Sequence, residues 1–90
     1  MRAIAYTTAF RKDFKRLSRS PRHDMAQLRA LITHLSEGKP LADKHRDHPL
    51  GGNWGGFREC HLQSDWLLIY TLTPDTLTLV RTGTHSELFD

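Results

Sequence analysis

A change of hydrophobic period divides this 90-residue chain near residue 57. Upstream, Phe10, Phe14 and Leu17 recur at i, i+4 and i+7, and Met25, Leu28, Leu31, Ile32 and Leu35 repeat the helical stripe. Downstream, residues 57–62 and 77–82 alternate, while 66–72 are apolar almost throughout. A helix-period pattern does not settle as a strand, nor the reverse, so helices come first and strands follow. The breaks between the strand runs, Gln63-Ser64-Asp65 and Thr73-Pro74-Asp75, can join only antiparallel neighbours. The middle run, apolar on both faces, belongs at the centre of the sheet. Residues 2–6, with Ile4 and Tyr6, suit a short first strand. Thr7 or Thr8 caps the first helix. Ser20-Pro21 reads as the start of the second, and Gly38 with Pro40 ends it. The expectation is an α+β fold: an N-terminal strand, a helical hairpin and a three-stranded antiparallel meander, with the helices on one face of a four-stranded sheet. Residues 1–90 make one domain at this length.

Composition narrows the function classes. One cysteine permits no intrachain disulfide and no all-cysteine zinc cage, and a reducing cytoplasm is the simplest compartment. The longest apolar run, Trp66 to Tyr70, falls far short of the roughly 20 residues of a membrane span. Residues 1–7 lack the apolar stretch of a secretory signal, so no membrane partner is expected. Charge is uneven: residues 1–46 hold 11 Lys+Arg against 4 Asp+Glu, and residues 47–90 hold 2 against 6. A basic half suits a polyanion, nucleic acid first. Arg11, Lys12, Lys15 and Arg16 on the wet side of the first helix, with Lys44 and Arg46, are the candidates for backbone contact. The competing reading is a solvated helical surface.

Residues 38–56 are rich in glycine and proline and form a long polar loop, which Trp54 and Phe57 would anchor. Period two puts Phe57, Glu59 and His61 on one face of their strand and Arg58, Cys60 and Leu62 on the other. Cys60 and His61 therefore cannot pair as nucleophile and base, and Cys60 reads as a packing residue. Three histidines lie where the chain converges: His48 in the loop, His61 at one strand end and His85 just after another. Asp65, across a tight turn, should lie near His61. Imidazoles titrate near ~6.5 and can exchange protons at neutral pH. Arg81 could stabilise the charge of a pentacoordinate phosphate, or form a salt bridge to Glu59 or Glu87. Phe89 could stack on a base or plug the core. His45-x-x-His48 and His61-x-x-x-Asp65 have ligand-like spacings, but the second straddles a hairpin, so no metal is expected. The paired glycines neither follow a strand nor open a helix, so no nucleotide phosphate loop is expected, and Ser64 and Ser86 read as turn residues.

Several motifs together resemble a known family. They are Lys44-x-x-Asp47-His48-Pro49-Leu50, Gly52-x-Trp54, Arg58-x-x-His61, Asp65-Trp66-Leu67-Leu68-Ile69-Tyr70 and Arg81-Thr82-Gly83-Thr84-His85-x-x-Leu88-Phe89. In this order they look like the YafQ-type toxins of the RelE/ParE superfamily, found in bacterial type II toxin–antitoxin systems. Residues 1–40 match mostly in pattern, and 44–89 match specifically. The resemblance implies a microbial-RNase-like fold and a ribosome-dependent endoribonuclease that cuts mRNA. It also implies a cognate antitoxin, in a hetero-oligomer with the toxin. It carries catalytic roles onto His48, His61, Asp65 and His85, a site-adjacent aromatic role onto Phe89, and a basic role onto Arg81. Glu59 stands where the family pattern has aspartate. The implied mechanism needs no metal or cofactor: the ribose 2′-OH attacks the adjacent phosphate, with His61 and His85 as the principal proton carriers. Three rivals predict different behaviour. A ParE-like non-catalytic toxin would not need the histidines, an RNA-binding module would leave no cleaved product, and a metal hydrolase would fail in chelator.

Overall fold

The computed structural model describes residues 1–89. Its elements run β1 (Ala3–Tyr6), α1 (Thr8–Ser18), α2 (Met25–Ser36), β2 (His48–Pro49), β3 (Arg58–Gln63), β4 (Trp66–Leu72), β5 (Thr76–Gly83) and α3 (His85–Phe89). Short 3₁₀ turns at Asp43–His45 and Gly52–Trp54 shape the long loop. The Thr7 side chain caps α1 by accepting from the Phe10 N–H. The second helix starts later than Ser20-Pro21 suggests. Ser20 donates its N–H back to the Leu17 carbonyl and belongs to the exit of α1, and Asp24 is the cap of α2.

The sheet has five strands in the order β1-β5-β4-β3-β2, one more than the four expected. The extra strand is the two-residue β2, which pairs His48 with Glu59 and Pro49 with Arg58. β4 is central, flanked by antiparallel β3 and β5, and β1 runs parallel to β5. Alternation along β4 splits the core. Trp66, Leu68 and Tyr70 pack under the stripes of α1 and α2, including Phe10, Leu17, Leu28 and Leu31. Leu67 and Ile69 face the other way, against Leu50, Trp54, Phe57 and Leu88. The helical hairpin therefore covers one face, as expected, and the glycine-rich loop with α3 covers part of the other.

The C-terminal segment, which the sequence suggests is only a turn and an apolar stub, is the helix α3. Thr84 and Glu87 form a reciprocal cap: the Glu87 N–H donates to Thr84 Oγ1 at 3.2 Å and the Thr84 N–H to Glu87 Oε1 at 2.9 Å. Gly83, at φ +156, makes room for it, since a Cβ there would lie 2.7 Å from Glu87 Oε1. No helix among the described residues is long and apolar enough to cross a membrane.

Candidate active site

The loop covering the second core brings His48 to the edge of the sheet. Asp47 does most of the anchoring: its carboxylate accepts from the Tyr70 hydroxyl and from Arg58 Nη2, the latter at 3.2 Å. Next to it, His45 Nδ1 donates to the His61 carbonyl at 2.7 Å, and His48 Nδ1 donates to the Arg46 carbonyl. Arg46 is the only non-glycine residue at positive φ (+47) among those described, and this kink turns its carbonyl toward His48. His48 Nε2 is thereby left to face inward.

The inward partner is Glu59, which is 5% exposed. Its Oε2 lies 3.2 Å from His48 Nε2, and its Oε1 lies 3.6 Å from His61 Nε2 and 3.8 Å from His85 Nε2. Oε1 is buried without a hydrogen-bond partner. Three imidazoles from β2, β3 and α3 thus surround one sunken carboxylate. The rings are near neighbours, with centroids 6.3 Å apart for His48 and His61 and 5.7 Å for His61 and His85. His48 and His85 keep 47% and 53% of their side-chain surface, so the cluster opens to solvent.

Asp65 touches His85 directly rather than His61. A single oxygen, Oδ1, accepts from the His85 backbone N–H at 3.0 Å and from its Nδ1 at 2.8 Å. The main-chain bond first, and the ring bond second, hold the Asp65 carboxyl below the usual carboxylate range. This pairing fixes the start of α3 and turns His85 Nε2 toward Glu59. Burial lowers the pKa of His61 below that of a free imidazole, with Glu59 opposing and His85, Arg46 and His48 reinforcing. Cys60 is fully buried on the other face, and burial pushes its thiol upward.

The remaining candidates divide. Phe89 is 40% exposed and stands edge-on to Trp54 at 5.5 Å and beside His85 at 6.3 Å. Lys44 and Arg46 lie beside His61. Arg81, a candidate for holding phosphate or for pairing with Glu59 or Glu87, has its guanidinium on Asp13 of α1. Nε lies 2.6 Å from Oδ2 and Nη2 3.1 Å from Oδ1. Asp13 is 2% exposed and without such partners would be a stranded buried charge. The same helix carries Arg11, Lys12, Lys15 and Arg16 on the face of the sheet opposite the histidines, and Arg16 is tied to Asp13 and Glu87. The hub, Glu59, had no role assigned from sequence. Its signal was there in the alternation that put it on the His61 face, but the depth of its burial was not.

Glu59, His61 and His85 each offer one atom within 4.8 Å of the others, the geometry of a three-ligand metal site. The geometry thus admits proton transfer between imidazoles and also coordination of a borderline-soft cation.

Comparison with known proteins separates this chain from others with a similar fold. A family model described as the bacterial toxin of type II toxin–antitoxin system, YafQ, matches residues 2–90. The mRNA interferase toxin YafQ of Escherichia coli K12 is 44% identical over 89 residues, covering 98% of this chain and 96% of that one. The E. coli DinJ–YafQ toxin–antitoxin complex contains a chain 43% identical with a TM-score of 0.88, over 99% of this chain and 98% of that one. A copper-bound mutant toxin from Helicobacter pylori is 39% identical with a TM-score of 0.93, over 99% of this chain and all of that one. With a matching family model over nearly its whole length, the chain belongs to the YafQ family of toxins of bacterial type II toxin–antitoxin systems.

Proposed function

We propose that this toxin is an endoribonuclease that cleaves mRNA on the ribosome by metal-independent acid–base catalysis. The observation that carries the reading is the meeting of His48, His61 and His85, from three separate segments, around the buried Glu59 in a site open to solvent. His61 is the general base: burial lowers its pKa, which favours the neutral imidazole that can take the 2′-OH proton. The 2′ oxygen then attacks the adjacent phosphorus and the bond from phosphorus to the 5′ oxygen breaks. His85, oriented by Asp65, delivers a proton to that leaving oxygen. The products are a 2′,3′-cyclic phosphate and a 5′-OH. His48 assists at the phosphate, and Glu59 holds the three Nε2 atoms toward one point. Phe89, whose ring centroid lies 6.3 Å from that of His85, stacks on a base. Each proton-transfer role is worth about 10²–10⁴-fold. The partner in the cell is a cognate antitoxin, as DinJ is for YafQ in the E. coli complex.

Mapping 5′ ends of mRNA after induction of wild type and of His48→Ala, His61→Ala and His85→Ala tests this reading. New 5′-OH ends in the wild type, lost in the His61 and His85 variants, are expected. Equal cleavage in all three variants would mean that the imidazoles do not do the chemistry. A ParE-like toxin would remain toxic without its histidines.

Metal enters only as an inhibitor. The lone pairs needed for proton transfer are those that Cu(II) would take at Glu59, His61 and His85, and an H. pylori relative is described as copper-bound. Added Cu(II) should abolish cleavage and a chelator should restore it, whereas chelator alone should leave the rate unchanged. Loss of activity in chelator alone would favour the metal-hydrolase reading.

A further inference from the structure

Beyond His61, on the side of Lys44 and Arg46, the surface sinks into a cavity of about 330 Å³ lined by Lys44, Arg46, His61, Leu62, Gln63 and Ser64. Its volume matches the lower end of small-ligand sites, about 300–1,000 Å³. Two local irregularities border the cavity. The left-handed turn at Arg46 ends the 3₁₀ segment. Opposite it, the register of β3 against β4 slips between His61 and Gln63, which bends the strand end. Among the described residues no carboxylate lies within 4 Å of Lys44 or Arg46. Two cations without acidic partners therefore flank a hollow that shares the His61 ring with the catalytic cluster. The aromatic pair of Trp54 and Phe89 adjoins His85 instead.

We infer that this cavity is a nucleotide subsite. Lys44 and Arg46 bind the phosphodiester next to the scissile one, and Gln63 and Ser64 meet the sugar or base attached to it. The inference rests on the nuclease reading above and adds a direction to it: the RNA strand runs from the Trp54–Phe89 aromatics, past His85 and His61, into the cationic hollow. A guanidinium and an ammonium suit phosphate oxygens, while the exposed Gln63 amide, whose Nε2 donates to Gln27 Oε1, and the Ser64 hydroxyl can meet a sugar or base edge.

An RNA phosphodiester could come from the substrate strand or from ribosomal RNA, and 2′-O-methylated oligonucleotides separate the two sources without a ribosome. The methyl group blocks attack, so binding is read alone. A dinucleotide carries one phosphodiester and a trinucleotide two. Affinities are measured by NMR titration at ~0.15 M salt, where charges more than about 8 Å from the ligand are largely screened. In the wild type the trinucleotide should bind about tenfold more tightly than the dinucleotide, as expected for one added charge-assisted contact. In the double variant Lys44→Ala/Arg46→Asn the gap should close to within about twofold. Both side chains are exposed, and asparagine tolerates the left-handed conformation at residue 46, so the fold should survive. A gap that persists in the double variant overturns the subsite. So does an absent gap in the wild type, and if ribosome binding then still needs the two cations, they serve ribosomal RNA. If neither oligonucleotide perturbs the His61 and His85 rings, the subsite is overturned, while the nuclease reading stands or falls on the mapping of 5′ ends in the histidine variants.

Discussion

Glu59 places a carboxylate where only 5% of its surface reaches solvent, and a buried unpaired charge costs several kcal/mol. His48 Nε2, 3.2 Å from Oε2, is its nearest imidazole partner, and the Glu59 charge acts on His61 in turn. Burial lowers the pKa of His61, and the Glu59 charge opposes that shift. Removing the charge while keeping the shape should therefore lower His61 further. By NMR titration, His61 in the wild type should have its midpoint below the ordinary ~6.5, and in Glu59→Gln lower still. An upward move would mean that another group sets the charge balance of the site. The same titration bears on catalysis: a base with a depressed pKa stays unprotonated into mildly acidic solution, so the acid limb of the rate should lie below that of free imidazole.

At the scale of elements, Arg81 ties β5 to α1. Arg81 on β5 and Arg16 on α1 both reach Asp13, and the Thr82 backbone N–H also donates to it. Burial raises the Asp13 carboxyl, but the hydrogen bonds from Arg81, Arg16 and Thr82 outweigh it and hold its pKa below the usual value. A depressed carboxylate pKa stabilises the fold above the unfolded-state value near ~3.9, and that contribution is lost as pH falls through the folded-state value. Asp13→Ala should cost about 3 kcal/mol at pH 7, measured as a lower midpoint in urea unfolding, and progressively less as the pH falls below ~3.9. A variant as stable as wild type at pH 7 would return Arg81 to consideration as a free cation. The tie also explains why α3 starts where it does: Arg16 continues to Glu87, whose carboxylate caps the helix that carries His85.

Across the whole molecule, the cations of the basic half divide between two faces. The cations of α1 lie over one face of the sheet, while Lys44 and Arg46 stand beside the histidines on the other side. On the proposed reading only the second group meets RNA in the site, so the salt response should be shallow for short RNA. The slope of log K against log [salt] for a single-stranded oligonucleotide is about −0.7 per phosphate neutralised. For the trinucleotide it should lie near −1.4, and Lys12→Ala/Lys15→Ala should leave it unchanged. A flatter slope in that variant would place α1 in the RNA path.

Local sequence alone determined the order β1, α1, α2, β3, β4, β5, the central place of β4 and the placing of Cys60 on the face opposite His61, because alternation and helical spacing are properties of neighbouring residues. It also brought His48, His61 and His85 forward as a set, since each follows or precedes a break in the pattern. Tertiary structure decided the rest. The two-residue strand at His48–Pro49 exists only because β3 offers it an edge, and two residues carry no period of their own. Asp65 chose His85 over its hairpin neighbour His61 because the start of α3 presents two donors to one oxygen. Arg81 turned to Asp13 because a buried carboxylate on α1, 68 positions earlier, needed a counter-charge. Such partners are chosen by desolvation and distance in three dimensions, and neither is written in the spacing of residues along the chain.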